Sequence, residues 1–133
     1  MTATFSGICD SLGAPVKKVR WSWCALSPDG KRAVFTVWQD HFDGRRYPIV
    51  YHEDRRKNDN ANRPGWPEIT DIVEHCLANP DTEALGVLCK AKDPEADPRE
   101  REWVEGNELL ELRIERDQDG VPWAHIIGRR RRR

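Results

Sequence analysis

Apolar residues recur along this chain with two periods, and the places where one gives way to the other divide it into elements. Phe5, Ile8, Cys9 and Leu12 fall at helical spacing, with Ser6 as a candidate cap and Gly13-Ala14-Pro15 as a stop, which predicts a short N-terminal helix. Two β-rich runs follow, 19–26 and 32–38, separated by Ser27-Pro28-Asp29-Gly30, a hairpin signature. A third run over 47–52 reads as a strand, with Pro48 favouring an edge or a strand start. The stretch 53–63 is charged, rich in asparagine and without periodicity, as expected of an exposed loop.

Pro67 opens the clearest helix, about 67–78, in which Ile69, Ile72, Val73, Cys76 and Leu77 form one apolar stripe; Asn79-Pro80-Asp81 ends it. Residues 84–89 are almost continuously apolar, which suits a central strand. A polar connection over 92–102 leads to a second hairpin. There Leu110, Leu112 and Ile114 alternate, Gln118-Asp119-Gly120 turns, and 121–127 returns. The expected fold class is α+β. Its mostly antiparallel sheet is built from two hairpins and additional strands, packed by the main helix and the short N-terminal one. Neither G-x-G-x-x-G nor G-x-x-x-x-G-K-[ST] occurs, so nothing points to a dinucleotide or P-loop fold.

At 133 residues the chain is long enough for one core, and 1–128 is read as a single domain followed by a basic tail, 129–133. No apolar run approaches the roughly 20 residues that cross a bilayer, and the first residues lack a signal-peptide layout, so a cytoplasmic protein is expected. Cys9, Cys24, Cys76 and Cys89 lie far apart without a C-x-x-C pair. They read as small buried hydrophobes, and no metal or cofactor is expected; a zinc site with His75 or His52 is the alternative.

The net charge of −1 hides an asymmetry. Arg129, Arg130, Arg131, Arg132 and Arg133 are five of the 22 basic residues, leaving 17 against 23 acidic ones, so the body carries −6 and the tail +5. An acidic body is a poor match for duplex DNA, whereas the tail suits any polyanion or else is a solvated terminus.

Six tryptophans stand out. Trp21 and Trp23 share one face of a strand, and Trp38 ends the partner strand. All three suit cross-strand packing or an aromatic platform. Trp66, at the helix entrance, and Trp103, in the polar connection, have polar, glycine or proline neighbours and are the better ligand contacts. Basic residues gather in the same loops, among them Arg45, Arg46, Lys92, Arg99 and Arg101. They form either an arginine-and-aromatic rim for single-stranded or flipped nucleotides, or solvated loops with local ion pairs.

No catalytic constellation emerges. Asp40-His41 follows a strand end. The acidic residue two before a lysine that a magnesium nuclease would need is missing around Lys90 and Lys92, and no nucleophile elbow is present. The strings Val19-Arg20-Trp21-Ser22-Trp23, Val37-Trp38-Gln39-Asp40, Ala91-Lys92-Asp93 with Pro98-Arg99, and Asp119-Gly120 with Trp123-Ala124 resemble a family of small bacterial and prophage proteins of uncharacterised activity. The resemblance covers most of the chain. It implies a setting of phage–host conflict and no catalytic residue.

The residues favour a noncatalytic binding module for nucleic acid or a modified nucleotide. The alternative is a small inhibitor that blocks a host-defence or nucleic-acid-binding protein, and a hydrolase or nuclease is third. Tryptophan and arginine serve both of the first two, being enriched at protein hot spots and at base-stacking sites.

Overall fold

The computed structural model describes residues 4–17, 24–39, 42–47, 66–92 and 101–131; of Trp66 and Pro67 it describes the backbone alone. Among these, the elements run α1 (Phe5–Ser11), β1 (Cys24–Leu26), β2 (Arg32–Trp38), β3 (Arg46–Tyr47), α2 (Trp66–Ala78), β4 (Glu83–Ala91), β5 (Arg101–Val104), β6 (Glu108–Arg116) and β7 (Pro122–Arg131). The seven strands form one sheet in the order β1-β2-β4-β6-β7-β3, with β5 also paired to β4. The α+β class with a mostly antiparallel sheet is as the hydrophobic pattern predicts.

Both hairpins form. In the first, Cys24 pairs with Phe35 and Leu26 with Ala33. Its turn closes because the Ser27 hydroxyl donates to Asp29 Oδ1 (2.7 Å) while accepting from the Arg32 amide (3.0 Å), and Gly30 supplies the left-handed residue, φ 73°. The Gly30 carbonyl lies 2.7 Å from His75 Nε2, which ties this turn to α2. In the second hairpin, β6 and β7 pair from Arg116↔Pro122 to Glu108↔Arg131. The register shifts between Glu111 and Leu112, leaving Ile127 without a Cα partner.

Each helix buries the stripe that its spacing predicts: Phe5, Ile8 and Cys9 on α1, and Ile69, Ile72, Val73 and Cys76 on α2, with Leu77 packed at the margin. The cap of α1 is Thr4 and not Ser6; the Thr4 hydroxyl accepts from the Gly7 amide at 3.1 Å. α2 packs over β1 and β6.

Four features depart from the expectation. First, β2 and β4 lie side by side and parallel at the centre of the sheet, Arg32 pairing with Glu83 and Trp38 with Cys89. Both strands are buried on both faces, so neither shows the alternation that marks a half-exposed hairpin strand. Gly86 permits this density, since a Cβ there would stand 2.8 Å from Val37 Cγ2.

Second, the polar connection over 92–102 ends in a strand. β5 pairs with the last residues of β4, Lys90 opposite Trp103 and Cys89 opposite Val104, on the edge that β6 uses lower down. Trp103 is therefore a strand residue. With only Val104 buried, β5 has too little apolar pattern to announce itself.

Third, the strand expected over 47–52 is described for Arg46–Tyr47, which pairs with β7; Pro48 to His52 and the loop 53–63 lie outside the described residues. Fourth, the basic tail is, through Arg131, the end of β7, with Arg129, Arg130 and Arg131 paired to Leu110, Leu109 and Glu108. Carboxylates make this possible: Arg129 Nη1 lies 3.1 Å from Glu108 and Arg130 Nη2 3.0 Å from Glu83.

Candidate functional site

The structure separates the predicted binding residues into three groups. Trp38 is 5% exposed at the end of β2. Arg101 turns inward beside it, its guanidinium 5.5 Å from the Trp38 ring and 4.6 Å from that of Phe5. Its Nη2 donates to Thr36 Oγ1 at 2.7 Å. This arginine ties β5 to β2 and α1.

The same side of the sheet holds Cys9 and Cys89. Burial pushes their thiols up to about 12 and about 11, and the nearby Arg101 charge offsets only part of that. Burial also pushes Cys76 up to about 11 and Cys24 well above its ordinary value. All four cysteines are buried and protonated at neutral pH, which makes them poor nucleophiles and poor metal ligands.

The second group lies around the C-terminal end of β4. Trp103, 41% exposed, stands opposite the exposed Lys90, with Lys92 exposed just beyond. Trp66 opens α2. Trp21, Trp23, Arg99, Arg132 and Arg133 lie outside the described residues, as do Asp40 and His41.

The third group is the most developed chemically. Arg46 on β3 pairs with His125 on β7, and His125 pairs with Arg113 on β6. Residues directly opposite one another share a face, so these three side chains form a row across three adjacent strands. Trp123, two residues before His125, belongs to the same face, and the Arg46 guanidinium lies 3.9 Å from its ring centroid. The indole is fixed from below, its Nε1 donating to Asp117 Oδ2 at 2.9 Å.

Arg46 is held by its backbone. Asp43 Oδ1 accepts from the amides of Arg45 and Arg46, each at 2.8 Å, and these bonds keep the Asp43 carboxyl below its ordinary range. Glu115 lies on the same face, 2.7 Å from Arg113 Nε and 3.8 Å from His125 Nε2. The two guanidinium groups of the row and its neighbour, Arg46 and Arg113, stand against two carboxylates, Glu115 and the Asp117 that holds the indole. A fixed indole beside forked cations can stack a base and hold a phosphate.

The sequence pointed to Arg45 and Arg46 but passed over Arg113 and His125. The signal was present: a turn at Gln118-Asp119-Gly120 sets the hairpin register, and that register puts the two opposite one another.

Arg129 and Arg130, expected in a tail that either binds a polyanion or is a solvated terminus, are engaged by Glu108 and Glu83. Among the described residues, no three His, Cys, Asp or Glu side chains gather as metal ligands, and no helix is long and apolar enough to cross a membrane. Compared with known proteins, the chain matches no family model, no curated protein and no solved structure.

Proposed function

We propose that the chain is a noncatalytic binding module for nucleic acid or a modified nucleotide, with the outer face of β3, β7 and β6 as its reading surface. The observation that carries this reading is the Arg46–Trp123 stack set beside His125 and Arg113 on one face. An aromatic ring and cations on a sheet face suit an unstacked base and its phosphate, whereas the acidic body suits a duplex poorly. Trp103 with Lys90 and Lys92 offers a second contact for a longer strand. A role in phage–host conflict rests on the sequence resemblance alone.

The test is titration of a labelled single-stranded oligonucleotide into the whole protein and its variants. Trp123→Ala is expected to cost about 1–3 kcal/mol of binding while keeping the salt slope. Arg46→Ala and Arg113→Ala are each expected to reduce that log–log slope by about 0.7. Unchanged affinity in all three variants would remove this face from the reading and leave the protein-inhibitor alternative in its place.

A further inference from the structure

His125 stands at the middle of the β3–β7–β6 face, and the backbone pairing fixes what surrounds it. The Ile126 amide donates to the Arg45 carbonyl at 2.8 Å. Arg46 and His125 are therefore the non-hydrogen-bonded pair beside that bond, the kind in which opposite residues come closest, with Cα atoms about 4.5 Å apart. On the other side the Asp117 amide donates to the Val121 carbonyl. Counting back by two along the hairpin makes His125 and Arg113 a hydrogen-bonded pair, which is the wider kind. The imidazole stands between two arginines, with Arg46 on the closer side.

The carboxylates around it are turned to other partners. Glu115 gives Oε1 to Arg113 Nε at 2.7 Å, and its Oε2 lies 3.8 Å from His125 Nε2, outside hydrogen-bond distance. Asp43 accepts from the Arg45 and Arg46 amides, and Asp117 from the Trp123 indole. Glu111, the next residue of β6 on this face, lies across Gly128. Further along β7, Arg129 is paired with Glu108. The His125 side chain remains 35% exposed, open to a ligand on this face.

Among the described residues, guanidinium groups and carboxylates on this face nearly offset one another, so one added charge matters to an incoming phosphate. Histidine supplies it, since its charge changes between about pH 5 and 8. A neutral imidazole offers one N–H and one acceptor nitrogen that repels a phosphate oxygen, whereas the protonated ring donates from both nitrogens.

We propose that this face binds a phosphate of a single strand together with a proton, which His125 takes up. The proposal rests on the nucleic-acid reading of the same face. A phosphate entering beside Arg46 and His125 supplies the anionic partner that Glu115, held by Arg113, does not. Proton and phosphate then favour one another by the same factor, as linkage requires. The bound state holds more protons than the free one, so affinity rises as pH falls. Stacking on Trp123 involves no proton and stays constant across the same range.

The probe is a labelled oligothymidylate without terminal phosphates, whose bases and diesters do not titrate near neutrality, added to the whole protein. Binding is expected to be about tenfold tighter at about pH 5.5 than at about pH 7.5. The log–log salt slope is expected to be steeper by about 0.7 at the lower pH, one more phosphate being neutralised. His125→Gln is expected to hold affinity and slope at their higher-pH values throughout, and His125→Arg to hold the steeper slope at both. Binding with the same affinity and slope at both pH values would overturn the proposal while leaving the nucleic-acid reading in place. A pH dependence that survives in His125→Gln would overturn it too, by placing the proton elsewhere. No binding at either pH would overturn the nucleic-acid reading, and the proton uptake with it.

Discussion

The Arg101 guanidinium donates a 2.7 Å hydrogen bond to Thr36 Oγ1, and so joins a strand that the hydrophobic pattern did not reveal to one that it made plain. The same group covers the Phe5 ring at 4.6 Å, so a single side chain holds β5, β2 and α1 together. A charge kept this close to the core remains there only while its partners do.

Arg101→Met, which keeps most of the length and loses the charge and the donors, is expected to lower unfolding free energy by about 2–3 kcal/mol. Thr36→Val is expected to cost less. A double-mutant cycle from urea denaturation is expected to give a coupling energy of about 1 kcal/mol or more. Additive effects of the two substitutions would show that the hydrogen bond contributes nothing of its own.

The thiols give the protein an alkaline limit. In the folded state burial raises Cys9 to about 12 and Cys76 and Cys89 to about 11, against 9.0 for a free thiol. The unfolded chain releases these protons first, so stability is complete below about pH 9 and falls as pH rises toward 11–12. Urea midpoints measured across that window are expected to drop, and Cys9→Ala is expected to flatten the slope. A midpoint that stays level in the unsubstituted protein contradicts the burial of these groups.

Arg129, Arg130 and Arg131 have a structural part as well as a charge. Truncation after Gly128 removes three paired residues of β7 and the ion pairs to Glu108 and Glu83. It is expected to cost about 2 kcal/mol. Truncation after Arg131 removes only Arg132 and Arg133 and is expected to leave the melting temperature nearly unchanged. Equal effects of the two truncations would mean that the strand pairing at Arg129–Arg131 adds no stability.

The contrast between what the sequence revealed and what it concealed has a physical basis. Hairpins and amphipathic helices are local: Ser27-Pro28-Asp29-Gly30 and Gln118-Asp119-Gly120 fix their own turns, and the stripe from Ile69 to Leu77 names its own buried face. The pairing of β2 with β4 is not local. Arg32 and Glu83 are 51 residues apart, and nothing in either run names the other as neighbour. β5 went unseen because a four-residue strand with one buried side chain has almost no pattern.

The candidate site was legible in part for the same reason. Arg45, Arg46 and Trp103 stood out by residue type, whereas His125 and Arg113 gain their meaning only from a cross-strand register. The arginine run did not announce its strand pairing, because five like charges read equally as a polyanion-binding segment or a solvated end. Its first two members instead find Glu108, 21 residues back, and Glu83 on a different strand.

The parallel central pair also orders the assembly of the molecule in time. The β1–β2 and β6–β7 hairpins close short loops and can form within microseconds, but β2 reaches its place against β4 only after the chain between them has been drawn into position. Two early hairpins therefore wait, each with an unpartnered strand, for β4 to come between them. Until it does, the apolar flanks of β2 and β6 face water together, and that interval is when a newly made chain is most exposed to pairing with another.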